Sequence, residues 1–137
     1  MIGLLLITHA NLGEAMVQCA CHVLNRRPPQ LLQIGVMAQD DPQDLRPVAQ
    51  DMLKWLDTGD GVLILTDLYG ATPANLAMSL LRPGHVEAIA GVNLPMLLRV
   101  LNYREYPLDI VVKRAVAGAC DGVLQMKPIR PDNPEKR

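Results

Sequence analysis

The feature that most restricts the fold is an alternation. Short aliphatic runs recur along the chain, and each gap between them leaves room for one helix and little more. Ile2–Ile7, Leu31–Ala38, Val62–Thr66 and Val86–Val92 read as strands. Val62–Thr66 is apolar on both faces, as a strand at the centre of a parallel sheet must be. Leu12–Leu24 carries Met16, Cys19, Ala20, Val23 and Leu24 as a stripe at helical spacing, and Arg26-Arg27-Pro28-Pro29 ends it. Asp44–Leu56 sets Leu45, Val48, Ala49, Met52, Leu53 and Leu56 on one side, before the turn Thr58-Gly59-Asp60-Gly61. Thr72–Leu81 predicts a third helix, with Thr72 as N-cap and Pro73 at the first helical position. Pro95–Leu101 and Leu108–Ala119 are helical by the same criterion, and Gly122–Met126 predicts a short fifth strand. The alternation predicts an α/β fold: a doubly wound, mainly parallel sheet of four strands plus the short C-terminal strand.

Composition narrows the class. A chain of 137 residues suits one domain, taken as residues 1–126, and its last eleven residues, 127–137, hold three prolines and several charges and read as a flexible tail. Half of the residues are apolar but none is phenylalanine, so aliphatic side chains and methionine must build the core. A net charge of −1 offers no basic surplus for nucleic acid. Apolar stretches such as Gly61–Leu65 fall far short of the roughly 20 residues that span a bilayer. The first residues lack the basic segment of a signal peptide. Cys19, Cys21 and Cys120 cannot form a closed set of disulfides and have no zinc-site spacing, so they read as reduced core thiols of a cytoplasmic protein.

Ligands of an open parallel sheet sit beyond the carboxyl ends of its strands, where the strand order reverses. Three segments fall on that edge: Thr8-His9, Thr66–Pro73 and Gly91–Pro95. If the first and third strands are neighbours, His9 and Asp67 face each other across one crevice. Asn11 can cap the helix after His9, with Glu14 completing a capping box, and the first-turn N–H groups then favour an anion beside the imidazole. The turn Gly70-Ala71-Thr72 offers a second set of donors. His22, inside the first helix, and His85, in a turn before the fourth strand, read as surface residues; Met96 reads as packing at the border of the crevice.

The pieces "LLITHANLGEAM", "GVLILTDLYGATPANLA" and "AIAGVNLPMLLRVL" resemble, in order and spacing, the enzyme IIA component of the mannose/fructose/sorbose class of the bacterial phosphoenolpyruvate:sugar phosphotransferase system (PTS). The resemblance spans about residues 1–125. It implies a cytoplasmic phosphocarrier, a phosphotransferase with a phosphohistidine intermediate and with neither cofactor nor metal. His9 is then phosphorylated on Nε2, and Asp67 accepts a hydrogen bond from Nδ1–H. Gly70, Ala71, Thr72 and Asn11 would bind the phosphoryl oxygens. The implied donor is the phosphohistidine form of the phosphocarrier HPr, the acceptor an enzyme IIB component, and the end result sugar uptake and phosphorylation. Relatives are similar to homodimers that exchange a C-terminal strand; Gly122–Met126 fits either an exchanged strand or an ordinary edge strand.

The chain departs from the family in two places. Tyr69-Gly70-Ala71-Thr72-Pro73 stands where many members have a Gly-Gly-Ser-Pro form, although threonine keeps the hydroxyl. Thr72-Pro73 also argues against the related phosphotransferase subunit of dihydroxyacetone kinase, which has a Gly-Ser-Ala turn. Many relatives continue through a linker into a IIB domain, whereas this sequence stops at Arg137, which implies a separate IIB protein. The same observation motivates an alternative: a regulatory phosphocarrier without a dedicated transporter, signalling the phosphorylation state of the PTS. A receiver-like domain is disfavoured because Thr8-His9 stands where an acidic pair would hold Mg²⁺. A nucleotide or flavin module is disfavoured because His9–Gly13 offers a single glycine.

Overall fold

The computed structural model describes residues 1–129. Nine elements follow in the order β1 (Gly3–His9), α1 (Leu12–Leu24), β2 (Leu31–Val36), α2 (Pro42–Leu56), β3 (Val62–Thr66), α3 (Thr72–Met78), β4 (Val86–Ala90), α4 (Leu94–Leu101) and α5 (Leu108–Asp121). The strands form one parallel sheet in the order β2-β1-β3-β4.

Side-chain alternation along the two central strands divides the core into two layers. Leu4, Leu6, Leu63 and Leu65 point to one face and pack with residues of α1, α4 and α5. Leu5, Ile7, Val62 and Ile64 point to the other and pack with Ala49 and Leu56 of α2 and Leu76 and Ala77 of α3. Both sets are fully buried, each side chain stabilising the fold by about 2 kcal/mol. This is why β1 and β3 read as unbroken apolar runs.

The reading of α1 and β3 matches the structure residue for residue. Elsewhere the ends move. β1 runs on to include Thr8 and His9, and β2 and β4 stop at Val36 and Ala90. α2 starts earlier, because the Asp41 carboxylate accepts the Gln43 N–H at 2.9 Å and Pro42 opens the helix. α3 ends at Met78 rather than Leu81.

Within the chain's own sheet the expected C-terminal strand does not form as an edge strand. α5 continues to Asp121, and residues 123–129 have no regular structure and leave Val123, Leu124 and Met126 largely exposed. A strand needs the free edge of a neighbour, and this segment lies on neither β2 nor β4 within the chain. Of the expected tail, residues 127–129 are exposed, and 130–137 lie outside the described residues. Nor are the cysteines core thiols: Cys19 and Cys120 are exposed, and only Cys21 packs partly against the core.

One tie across the fold has no signal in the sequence. Arg104, between α4 and α5, is 4% exposed. Its Nε donates to the Ile2 carbonyl at 2.9 Å, Nη2 to the Gln30 carbonyl at 2.7 Å and Nη1 to the Pro29 carbonyl. Burial pulls its pKa down to about 10, which leaves it charged at neutral pH. One side chain thus fastens the starts of β1 and β2 to the far end of the α4–α5 hairpin.

Candidate active site

The strand order fixes where a site can form. From β1 the chain crosses to β2 on one side, while β3 and β4 lie on the other. α1 covers one face and α3 the other, so the connections after β1 and β3 part from each other. A crevice opens between them at the carboxyl edge. Ile7 pairs with Thr66 at the end of the register, so His9 and Asp67 leave the sheet side by side.

The two residues meet. His9 Nδ1 lies 2.9 Å from Asp67 Oδ2, and the same oxygen accepts the His9 backbone N–H at 3.0 Å. The His9 side chain is 48% exposed and that of Asp67 12%. Burial alone would raise the Asp67 pKa, but the backbone and ring hydrogen bonds from His9 outweigh it and hold the carboxyl below its usual range. Its Oδ1 is buried and meets no donor among the described residues. An ionised carboxylate can only accept, so Nδ1 carries the proton and Nε2 of a neutral ring keeps its lone pair. The arrangement presents a half-exposed, oriented ring nitrogen with a partly buried carboxylate behind it.

The capping expected here is corrected by the structure. Asn11 occupies the N-cap position of α1 but makes no side-chain capping bond, and Glu14 completes no capping box. The buried Thr8 hydroxyl accepts the Gly13 N–H instead, at 2.7 Å, from the strand itself. Gly13 can approach because it has no side chain: a Cβ there would lie 2.9 Å from that hydroxyl. Thr72 is likewise not an N-cap. It opens α3 behind Ala71, whose methyl cannot cap, and its side chain is exposed. Gly70 turns the loop with φ +83, and Leu68 and Tyr69 stand exposed beside it. On β4's side of the crevice, Asn93 caps α4 by accepting the Met96 N–H at 2.9 Å, and Met96 is buried packing. His22 is exposed, and His85 Nε2 lies 3.7 Å from Asp57, at the opposite end of the sheet. No group of three or more His, Cys, Asp or Glu side chains suited to a metal occurs among the described residues. Nor is any described helix long and apolar enough to cross a membrane.

Fold and site together define a doubly wound α/β protein whose switch point carries a histidine oriented by a carboxylate. Residues 3–110 match the family model "PTS system fructose IIA component", and the chain belongs to that family. It is 32% identical over 133 residues to the PTS system mannose-specific EIIAB component of Escherichia coli (strain K12), covering 93% of this chain and 41% of the relative. The chain thus spans about two fifths of that relative's length. It is also 29% identical over 107 residues to the PTS system fructose-specific EIIA component of Bacillus subtilis (strain 168), covering 77% and 73% of the two chains. Among solved structures, the mannose/sorbose specific IIA subunit from Enterococcus faecalis superposes with a TM-score of 0.83 at 20% identity, covering 94% of this chain and 97% of that one. The EIIA component from Streptococcus agalactiae gives 0.81 at 22% identity, over 91% and 97%. These likenesses confirm the four-stranded parallel α/β fold.

Proposed function

We propose that residues 1–126 are a phosphocarrier unit of the PTS that takes a phosphoryl group from phospho-HPr onto His9 and passes it to an enzyme IIB component. The observation that carries this reading is the 2.9 Å contact between His9 Nδ1 and Asp67 Oδ2. It leaves Nε2 as the nitrogen able to attack phosphorus. In the transfer, a bond forms from Nε2 to phosphorus as the bond from phosphorus to the HPr imidazole breaks, and that imidazole leaves with the electron pair. The Nδ1 proton stays shared with Asp67, whose charge offsets the imidazolium character that develops. First-turn amides of α1 have no intrahelical partner. With that of Gly13 taken by Thr8, those of Leu12 and Glu14 are left to meet the phosphoryl oxygens, with Asn11 and the Gly70-Ala71-Thr72 turn lining the same edge. Transfer to IIB runs the same steps toward a new acceptor.

The test is direct. Incubation with phosphoenolpyruvate, enzyme I and HPr should load one acid-labile phosphoryl group per chain. Asp67→Asn should keep the fold but slow loading at least tenfold, because the amide stabilises neither the tautomer nor the developing charge. A wild-type rate in that variant removes Asp67 from the mechanism. The pair also links stability to pH. The folded pKa of Asp67 lies below the ordinary aspartate value of 3.8, so its contribution is present above that value and is lost as pH falls through the folded one.

The exposed Val123, Leu124 and Met126 support an assembly in which residues 122–126 add to the sheet of a second copy. In that homodimer they would bury apolar surface that the isolated chain leaves in water. Sedimentation at micromolar concentration should show a dimer, and deleting residues 122–137 should give a monomer. A full-length chain that sediments as a monomer overturns the exchange.

A further inference from the structure

The connection between His9 and α1 is two residues long and rests on an unusual contact. Ala10 has φ +49, in the left-handed region where alanine is disfavoured. Its N–H donates to the Val36 carbonyl of β2 at 2.9 Å. Its own carbonyl then settles onto the neighbouring residue of that strand, Gly35. A Cβ at Gly35 would lie 2.0 Å from the Ala10 oxygen, against an ordinary contact of about 3.5 Å. No alanine, and no larger residue, fits at Gly35 while Ala10 keeps this position.

The consequence reaches the imidazole through two consecutive amides. The His9 N–H points across to Asp67 on β3's side, and the Ala10 N–H points to Val36 on β2's side. The peptide between them is therefore held from both flanks. An alanine in the narrow left-handed well cannot tilt its carbonyl alone, so lifting that carbonyl off β2 moves the whole residue, breaks the Val36 bond and swings the His9 backbone away from the carboxylate. The left-handed conformation persists at Ala10 because both flanking contacts over-determine it.

We propose that Gly35 is a positioning residue for phosphoryl transfer: its missing side chain seats Ala10 on β2 and so holds His9 Nδ1 against Asp67. This rests on the phosphocarrier reading for its rate effect, but not for its structural readout. In Gly35→Ala, loading from phospho-HPr should slow at least tenfold in the transfer step, with the HPr concentration at half-saturation little changed. The ¹⁵N shifts of the His9 imidazole should move from the Nδ1–H tautomer toward the Nε2–H form that a free histidine prefers. Adding Ala10→Gly should restore both signals, because glycine reaches backbone conformations that tilt the carbonyl off the new methyl while its N–H keeps Val36.

The double variant also covers the case in which Gly35→Ala alone fails to fold. A Gly35→Ala protein that loads at the wild-type rate and keeps the Nδ1–H tautomer overturns the proposal. So does a double variant that folds and recovers neither signal. A wild-type chain that takes no phosphoryl group from phospho-HPr would instead remove the phosphocarrier reading, leaving the tautomer measurement to decide the role of Gly35.

Discussion

A His9→Ala chain mixed with phosphoenolpyruvate, enzyme I and HPr is expected to acquire no acid-labile phosphoryl group, where the wild type acquires one. The loss should be complete rather than partial. His22 is exposed on α1 without a carboxylate partner among the described residues, and His85 pairs loosely with Asp57 at the wrong end of the sheet. Neither has the geometry that frees Nε2 while fixing Nδ1–H. The substitution should cost only about 1 kcal/mol of stability, because His9 is half-exposed and Asp67 keeps the backbone N–H of residue 9 as a partner. Melting temperature and label therefore separate cleanly. Label that persists in His9→Ala, read by peptide mapping, would move the site elsewhere.

The second large effect concerns stability alone. Arg104→Ala should lower unfolding free energy by roughly 3 kcal/mol, or Tm by about 10 °C. The reason is the accounting of polar groups. The guanidinium donates to the buried Ile2 carbonyl and to the part-buried carbonyls of Pro29 and Gln30, and removing it strips the first two of this donor beside a void, while Gln30 keeps the Leu4 N–H. Arg104→Lys should recover only part of the loss, because a single ammonium cannot reproduce a planar fork aimed at three oxygens. Thermal or urea unfolding measures both. A change under about 0.5 kcal/mol in Arg104→Ala would show that the clamp contributes little. Labelling at His9 should survive in the fraction that stays folded, since Arg104 grips the amino ends of the strands and the site lies at the carboxyl ends.

The contrast between these residues shows what a sequence can and cannot disclose. His9 and Asp67 were legible because each directly follows an unmistakable aliphatic strand, and a parallel sheet brings such ends together. β3 and α1 were legible to the residue because their periodicity is uninterrupted. Arg104 was invisible: it sits in a polar connection where arginine is ordinary, and only the closed fold surrounds it. The caps failed for a related reason. Asn11 and Thr72 have the right residue types at the right places, yet the Gly13 amide is taken by Thr8, which the strand delivers from outside the helix. Local rules assign a cap to the nearest candidate; tertiary placement gave the work to another. The fifth strand is absent from the chain's own sheet because aliphatic character at residues 123–126 reports a surface to be covered without saying by what. Gly35 could not be distinguished from any other strand glycine until the carbonyl resting on it was seen.

The strand order carries a consequence for how the molecule is made. Ribosomes deliver β1 before the other strands of this sheet, yet β1 is an interior strand, paired with β2 on one side and β3 on the other. Until the residues of β3 emerge, one edge of Leu4-Leu5-Leu6-Ile7 has no native partner and both of its faces lack their covering layers. His9 and Asp67 are 58 positions apart, so the site cannot assemble until the whole stretch between them has been synthesised. A nascent chain of this design carries an uncovered aliphatic strand through that interval, which makes slow translation of residues 10–60 an aggregation hazard.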